Sequence, residues 1–289
     1  MASEFNGGVK LAPVDDASRA RGATATIGRS SIVIFALILL SVGAFFGLML
    51  VASEAGWRIG RARLAGTAGA LAKGAGSAEA AVFGLFGLLV AFTFSGAAQR
   101  FEARRHLIAE EANTIGTAYL RLDLLPRDAQ PGVRELFGKY VDNRYAVYRQ
   151  AQDSASTEAK LAETASLQSA IWDMTFSALK EQGLPTPGTT LLLGSLNEMI
   201  DITETRRMAT ITHPPPIIFV VLGLLSLVCA ALVGYDTSDN TARSWLHSVT
   251  FAAVVSLTVY VIVDVEFPRL GLIRVDSADA AIFNLREIM

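Results

Sequence analysis

The sequence predicts an all-α membrane protein with four transmembrane helices and a helical cytoplasmic domain between the second and the third. Four long apolar runs, two near each end of the 289-residue chain, carry this prediction; they cover 31–52, 78–98, 216–235 and 246–263. Each run has about the 20 apolar residues that a helix needs to cross a bilayer. The segment between the second and third runs is mostly polar, so we expect it to fold outside the membrane.

The predicted organisation has five parts. We expect a disordered cytoplasmic tail over 1–29, because this segment has no sustained apolar periodicity from which to build a core. The first run is too long and begins too late for a cleaved signal peptide, which makes it a retained anchor. The first transmembrane pair then covers 30–99, the helical cytoplasmic domain 100–213, the second transmembrane pair 214–265, and a cytoplasmic C-terminal segment 266–289.

The second apolar run is predicted to continue beyond the membrane as a stalk. No glycine or proline stop separates it from the polar stretch that follows, and apolar residues then recur every seven positions, at Phe101, Ile108, Ile115 and Leu122. A sevenfold apolar repeat is typical of a packed helix. We therefore expect one helix over 77–125, roughly 70 Å long, that ends before Pro126.

Three further helices are predicted in the cytoplasmic domain. The first opens at Pro131, the second covers about 157–182, and the third covers about 188–212. The third must end there because three consecutive prolines follow, at 214–216, and proline supplies no amide for helix hydrogen bonding. No alternating strand pattern is present in this region.

The distribution of basic residues predicts the orientation. With four spans, both termini and the middle segment lie on the same side, and this side has the larger number of lysines and arginines near the spans. It should therefore be cytoplasmic. The opposite side also has basic residues, and these count against the assignment: Arg58, Arg61, Arg63, Lys73 and Arg243.

Composition and spacing argue against several classes of function. The chain has 25 basic and 27 acidic residues, without the basic excess of a nucleic-acid-binding protein. The three histidines are far apart and none has a second ligand at metal spacing, so we expect no metal, no cofactor and no enzyme activity. Glu110 and Glu111 fit a solvated or salt-bridged helix face better than an acid/base pair. The single cysteine, Cys229, lies within an apolar run and fits a packing role.

The second span contains the most patterned stretch. Small residues fall at steps of three and four, a spacing that permits close helix packing in lipid: Ala80, Gly84, Gly87, Ala91, Ser95 and Ala98. A neighbouring line contains Leu85, Leu88 and Phe92. If several copies of this helix surround an axis, that line forms a hydrophobic constriction of the kind that gates by dewetting.

Basic residues follow this span directly. At the cytoplasmic mouth of a ring, where we expect Arg100, Arg104 and Arg105 to lie, Arg104 and Arg105 would raise the local concentration of anions. An alternative role for the same side chains is to bind lipid phosphates at the membrane surface.

Three stretches of the sequence resemble a known family. They are QRFEARR (99–105) with EANTIGTAYLR (111–121), LNEMID (196–201), and FPRLGLIRV (267–275). Together they resemble the bacterial bestrophin-like membrane protein family, which is distantly related to the bestrophin anion channels. The likeness spans roughly 78–289.

The resemblance implies four spans, cytoplasmic termini, location in the bacterial inner membrane, and a ring of copies, in bestrophins a pentamer, around the second-span helices. Bestrophins carry an apolar neck on that helix, followed by an arginine and an aromatic residue. If Arg100 and Phe101 match that pair, Phe92, Leu88 and Gly84 occupy the neck positions. Gly84 departs from the bulky residue of the pattern. No acidic cluster resembles the calcium clasp of animal bestrophins, so calcium gating is not implied.

Two functions are compatible with these observations. The first is a homo-oligomeric channel for small ions, with anions as one candidate, that has an apolar neck on the second span. The alternative is a non-conducting anchor or scaffold whose cytoplasmic domain binds a partner. Its candidate contacts would be aromatic, namely Tyr140, Tyr145, Tyr148 and Trp172, although core packing is the commoner role of such residues.

Overall fold

The structure is a computed structural model that describes residues 29–66, 75–149, 154–181, 187–239, 245–268, 271–273, 276–287 and 289. The tail predicted over 1–29 lies outside this range except for Arg29, which begins the first helix. Within the described residues every regular element is helical, which confirms the all-α prediction.

The described residues form eight α-helices that follow one another along the chain. They are α1 (Arg29–Gly66), α2 (Ala75–Arg121), α3 (Gln130–Arg149), α4 (Ser154–Glu181), α5 (Pro187–Ile211), α6 (Ile217–Asp236), α7 (Trp245–Glu266) and α8 (Asp276–Asn284). Four of them, α1, α2, α6 and α7, are long and apolar enough to cross a bilayer. They correspond to the four apolar runs of the sequence.

Helix α2 is one unbroken rod of 47 residues, about 70 Å long at 1.5 Å per residue. It ends in a single 3-10 turn, Leu122–Leu124, and Leu125 is extended as required of a residue before proline. Ile108, Ile115 and Leu122 are all buried. The predicted continuous stalk and its sevenfold apolar repeat are therefore confirmed.

Close backbone contact joins α1 to α6. A Cβ atom added at Gly56 would collide with the backbone of Ala231, and one added at Gly234 would collide with the backbone of Ser53. Without a side chain at these positions the two helices can approach closely, as small residues permit in membranes. Helix α7 packs against both α1 and α2 and completes the transmembrane unit.

The C-terminal half of α2 packs against α5 and α8, and α3 pairs with α4. These helices surround one apolar core outside the spans, in which Phe137, Tyr140 and Leu196 are fully buried. Helix α3 begins one residue from its predicted start, and α4 and α5 begin and end within about three residues of the predicted positions. The C-terminal residue also reaches this unit, because the Tyr119 hydroxyl donates a hydrogen bond to the carbonyl oxygen of Met289 at 2.9 Å.

A buried ion cluster crosses this core. The Glu111 carboxylate is fully buried and accepts hydrogen bonds of 2.5 Å from Arg144 on α3 and from Arg206 on α5. Three helices that are distant in sequence are thus joined at one side chain. The neighbouring Glu110 is exposed and lies 3.6 Å from His106, so the two adjacent carboxylates are not an acid/base pair.

Candidate pore-lining helix and its junction with the last span

The predicted neck residues lie on one exposed face of α2. Leu85, Leu88 and Phe92 are 59%, 52% and 68% exposed, although all three are large and apolar. The opposite side of the same turns is buried, at Phe86 and Thr93. The remaining predicted neck residue, Gly84, is exposed as well, and a Cβ atom added there would meet no atom within 4 Å. Within the described chain, this face has no packing partner.

The small-residue stripe is also exposed. Its members Ala80, Gly87, Ala91 and Ser95 are all exposed, and a Cβ atom at Gly87 would likewise meet nothing within 4 Å. Beside the stripe an apolar groove of about 420 Å³ opens between α2 and α7, lined by Gly87, Val90, Ala91, Phe94, Leu257, Thr258 and Val261. A packing role for the stripe therefore requires another molecule and stays a prediction.

Arg104 lies inside the protein, at the junction between the spans and the helices outside the membrane. It is 8% exposed. Its Nε donates to the carbonyl oxygen of Ala209 (3.0 Å), its Nη1 to that of Glu266 (2.6 Å), and its Nη2 to that of Thr212 (3.1 Å). These carbonyls belong to the last turns of α5 and α7, where helix carbonyls have no intrahelical partner and the helix dipole is negative. One guanidinium therefore caps two helices.

The Glu266 carboxylate completes this junction. It is fully buried, and its Oε2 accepts two hydrogen bonds from Arg100, from Nε at 2.8 Å and from Nη2 at 2.7 Å. Its Oε1 lies 2.9 Å from His213 Nδ1 and 3.5 Å from Arg104 Nη2. The His213 ring also stacks on Phe267, with centroids 4.5 Å apart. One acidic side chain thus joins α2, the linker that enters α6, and the end of α7.

These contacts change the interpretation of the three arginines predicted at the cytoplasmic mouth. The prediction is wrong for Arg104, because its charge is buried and balanced by Glu266. Arg100 is about two-thirds covered and bound to the same carboxylate. Arg105 is exposed as predicted, but it pairs with Glu102 at 3.0 Å. None of the three is an unopposed cation.

Sequence reasoning missed the acidic half of this junction. In the sequence, Asp264 and Glu266 are two charges at the edge of the fourth apolar run. In the structure the Asp264 carboxylate accepts hydrogen bonds from the backbone amides of Leu272 and Ile273, each at 3.0 Å. Gly271 lies so close to this carboxylate that a Cβ atom there would collide with it. The FPRLGLIRV stretch was the available signal, because its glycine permits this approach.

No group of three or more potential metal ligands is present among the residues that the structure describes. The aromatic residues that were candidate partner contacts, so far as the structure describes them, lie in or against the apolar core around Phe137 and Leu196. Tyr140 is fully buried, Tyr145 stacks on Phe283 and Trp172 packs against the core; the Tyr148 side chain lies outside the described atoms.

Comparison with known proteins agrees with the architecture. The model of the bestrophin-like domain matches residues 46–280. Two solved variants of a bacterial bestrophin homologue from Klebsiella pneumoniae each align with a TM-score of 0.63 at 13% identity, over 86% of this chain and 99% or 98% of theirs. A solved variant described as a membrane protein aligns with a TM-score of 0.61 at 13% identity, over 87% of this chain and 97% of its own.

At this identity the solved structures show a shared fold, and the sequence matches no curated protein. The domain match nevertheless covers most of the chain, including all of α2 and both helices that meet it at the junction. The four-span architecture and the continuous α2 are consistent with that match, and the chain belongs to the bestrophin-like family.

Proposed function

We propose that the protein is a homo-oligomeric ion channel of the bacterial inner membrane, with both termini cytoplasmic and with an apolar neck formed by α2. The neck residues are Leu85, Leu88 and Phe92, with Gly84 at its outer end. The observation that carries the proposal is the exposed face of α2 that contains Leu85, Leu88 and Phe92. This face is exposed along the length of the helix, although its side chains within the span are large and apolar.

Lipid alone would cover exposed apolar side chains, but it gives no reason for the small residues beside them. Ala80, Gly87, Ala91 and Ser95 form a shallow strip next to the bulky line. Such a strip accepts a neighbouring helix at short range. If copies of α2 pack against one another through this strip, their Leu85, Leu88 and Phe92 side chains turn toward a common axis. The result would be a ring of the kind seen in bestrophins.

The face also continues beyond the membrane in a form that suits a water-filled path. Beyond Phe92 this face is mostly polar, at Ser95, Gln99, Asn113 and Thr117, with Leu120 an exposed apolar exception near the end of the helix. A helix face that served only to contact lipid would not need to stay exposed for several turns beyond the membrane. The change from apolar to polar lining supports a narrow dry neck that opens into a wider wet vestibule.

The scaffold alternative has less support, because its candidate aromatic contacts are not free surface residues where the structure describes them. Its described aromatic contacts are used within the chain, with Tyr140 fully buried and Tyr145 stacked on Phe283. We therefore place the channel first.

Ion flux from proteoliposomes tests the proposal. The purified oligomer should release potassium, sodium or chloride faster than empty vesicles, and Leu88→Ala and Phe92→Ala should each raise the rate several-fold because the constriction widens. Leu224→Ala is the matched control, since Leu224 is an equally exposed (59%) apolar residue on α6. A folded oligomer that passes none of these ions would contradict the proposal of a channel. An unchanged rate in both variants would show that Leu88 and Phe92 do not form the constriction.

A further inference from the structure

We propose that a phospholipid binds in the groove between α2 and α7, with one acyl chain in the groove and its phosphate on Arg105. The inference goes beyond the proposed channel, because it requires only that both helices cross the bilayer. It begins from the apolar groove and from an exposed cation that lies in line with it.

The groove has the chemistry of an acyl-chain site. Its volume is about 420 Å³, and apart from Thr258 it is lined by glycine and apolar residues. The Thr258 hydroxyl donates a hydrogen bond of 2.8 Å to the carbonyl oxygen of Val254, one turn earlier on α7, so it needs no polar occupant. The groove lies between two helices that are apolar enough to cross a membrane. An acyl chain can therefore enter it directly from the bilayer.

Arg105 lies in line with this groove. It follows Gly87 by 18 residues, about five full turns of an α-helix, so the two positions point in the same direction. From Phe94 to Arg105 the line continues at steps of four, three and four through Ala98 and Phe101, which are both partly exposed. The Arg105 guanidinium lies 6.0 Å from the centre of the Phe101 ring. An apolar surface thus leads from the groove to a cation.

The spacing along α2 matches the depth of one leaflet. Arg105 follows Phe94 by 11 residues and Ala91 by 14, or about 16 and 21 Å of helix. The hydrocarbon layer of one leaflet is about 15 Å deep, and its headgroup region adds about 5–8 Å. A phosphate at Arg105 therefore places the end of its acyl chain at the level of Ala91 and Phe94, inside the groove.

Exposed apolar side chains indicate that the membrane surface reaches the level of Arg105. The preceding residue, Arg104, donates to the carbonyl oxygen of Ala209 on α5, which places that turn of α5 at the same height. There Met208 and Ile211 are 47% and 56% exposed. Large apolar side chains at this height are covered if the bilayer interface extends to them.

The Arg105 guanidinium is accessible to a phosphate. The side chain is 49% exposed, and its hydrogen bond to Glu102 uses Nη1, at 3.0 Å. A guanidinium has five N–H donors and binds phosphate oxygens in pairs. An exposed ion pair between neighbouring turns contributes little to stability, so a phosphate can displace the Glu102 carboxylate.

A neighbouring copy of α2 would cover only one wall of the groove. The small-residue strip through which copies are proposed to pack includes Gly87 and Ala91 on α2. The opposite wall, with Thr258 and Val261 on α7, lies outside that strip. A helix packed on the strip also gives no role to Arg105. A phospholipid accounts for both walls and for the cation, so we prefer it to a second copy as the occupant.

Native mass spectrometry of the purified, delipidated oligomer tests this inference, with dioleoylphosphatidylglycerol as the probe. One tightly bound lipid per chain is expected. Arg105→Gln should weaken its binding on the order of tenfold, because a charge-assisted hydrogen bond is lost. Dioleoylglycerol has the same acyl chains without a phosphate, and inorganic phosphate has no acyl chain. Each should bind the wild type more weakly than the phospholipid, again on the order of tenfold.

Arg58→Gln is the matched control, because Arg58 is also exposed (75%) and paired with a glutamate on its own helix, but lies on α1 toward the opposite end of the spans. It should leave binding unchanged. An equal loss in Arg58→Gln and Arg105→Gln would mean that surface charge alone attracts the lipid, and would overturn the inference. Unchanged binding in Arg105→Gln would overturn it as well.

Thr258→Trp fills the groove from α7 and should also weaken phospholipid binding, with the oligomer intact in size-exclusion chromatography. If this variant instead breaks up the oligomer and leaves lipid binding unchanged, the groove is a contact between copies and the inference fails. The exposed Arg105→Gln variant is expected to fold, so it decides the question even if the larger substitution disturbs the protein. None of these measurements uses ion flux, so the proposed channel stands or falls separately.

Discussion

Two consecutive arginines on α2 have opposite environments. Successive residues on a helix point about 100° apart, so Arg104 faces the interior and caps the ends of α5 and α7, whereas Arg105 faces solvent and pairs with Glu102 three residues earlier. The sequence treats the two as equivalent. Only the partners that lie 105 and 162 positions away distinguish them.

The first prediction concerns this pair. Arg104→Met should cost about 3–5 kcal/mol of stability, because it leaves the buried Glu266 with one cation fewer and removes the donors that cap two helices. Arg105→Met should have little effect, since an exposed ion pair contributes little. Thermal unfolding in detergent, followed by circular dichroism, compares the two variants. Equal melting temperatures would show that Arg104 is not the structural residue that its contacts indicate.

The second prediction concerns Tyr140. Burial raises its pKa to about 12; the positive charge of Arg144 opposes this rise, the charge of Glu111 adds to it, and hydrogen bonds with Thr203 and Gln168 oppose it. The neutral hydroxyl is thus preferred in the folded state. In the unfolded chain tyrosine ionises near pH 10. The stability that this residue contributes is therefore present below pH 10 and is lost as the pH rises toward about 12.

Tyrosinate absorbance during an alkaline titration measures this directly, over the pH range where circular dichroism shows intact helices. Subtracting the Tyr140→Phe titration from that of the wild type should leave one tyrosine that ionises near pH 12. If the difference curve rises near pH 10 instead, the hydroxyl is not held in the core.

At the scale of the helix, the local sequence pattern is sufficient to predict where α2 and its neighbours begin and end and which face of α2 is buried. The sevenfold repeat of Ile108, Ile115 and Leu122 predicts the buried face, and Pro126 predicts the end. Both are confirmed because helix period and proline geometry act within a few residues. The sequence also predicts the exposed line through Leu88 and Phe92, although a pattern alone cannot distinguish a face that meets lipid from one that meets another copy.

Helix pairing was less predictable. The small-residue pattern indicates close packing at Gly84 and Gly87, but a Cβ atom added at either position would meet nothing within 4 Å. The close contact between two spans instead uses Gly56 on α1 and Gly234 on α6. These two glycines belong to no long stripe. Their role depends on which helices are adjacent, and that is a property of the whole transmembrane unit.

The third prediction tests that contact. Gly56→Ala should force α1 away from α6 and lower stability by about 1–3 kcal/mol, the usual cost of overpacking. Gly43→Ala is a control on the same helix, because a Cβ atom at Gly43 would meet nothing within 4 Å. It should be neutral or stabilising by up to about 1 kcal/mol through helix propensity. Similar destabilisation of both variants in a thermal melt would argue against the glycine contact.

For the whole molecule, the junction at Glu266 explains how the two halves are held together. Arg100 and Arg104 tie α2 to the end of α7, and the same carboxylate binds His213 where the chain enters α6. The orientation of the exposed face of α2 therefore depends on contacts just outside the spans. Sequence analysis predicted the spans on either side of this junction but not the junction itself, because its members are far apart along the chain and each resembles an ordinary interfacial charge.

The fourth prediction concerns the orientation of the chain in the membrane. The excess of basic residues on one side predicts that the segment between α2 and α6 and both termini are cytoplasmic. A reporter active only in the cytoplasm should be active when fused after residue 150 and inactive when fused after residue 65. Activity at residue 65 would reverse the assignment.

The central claim is that copies of α2 surround one axis with their exposed face toward it. A cryo-EM map of the purified protein in lipid nanodiscs tests this most directly. We expect a closed ring in which Leu88 and Phe92 form the narrowest point within the membrane. A map in which the protein is a monomer, or in which α2 lies on the outer rim with Phe92 against acyl chains, would contradict it.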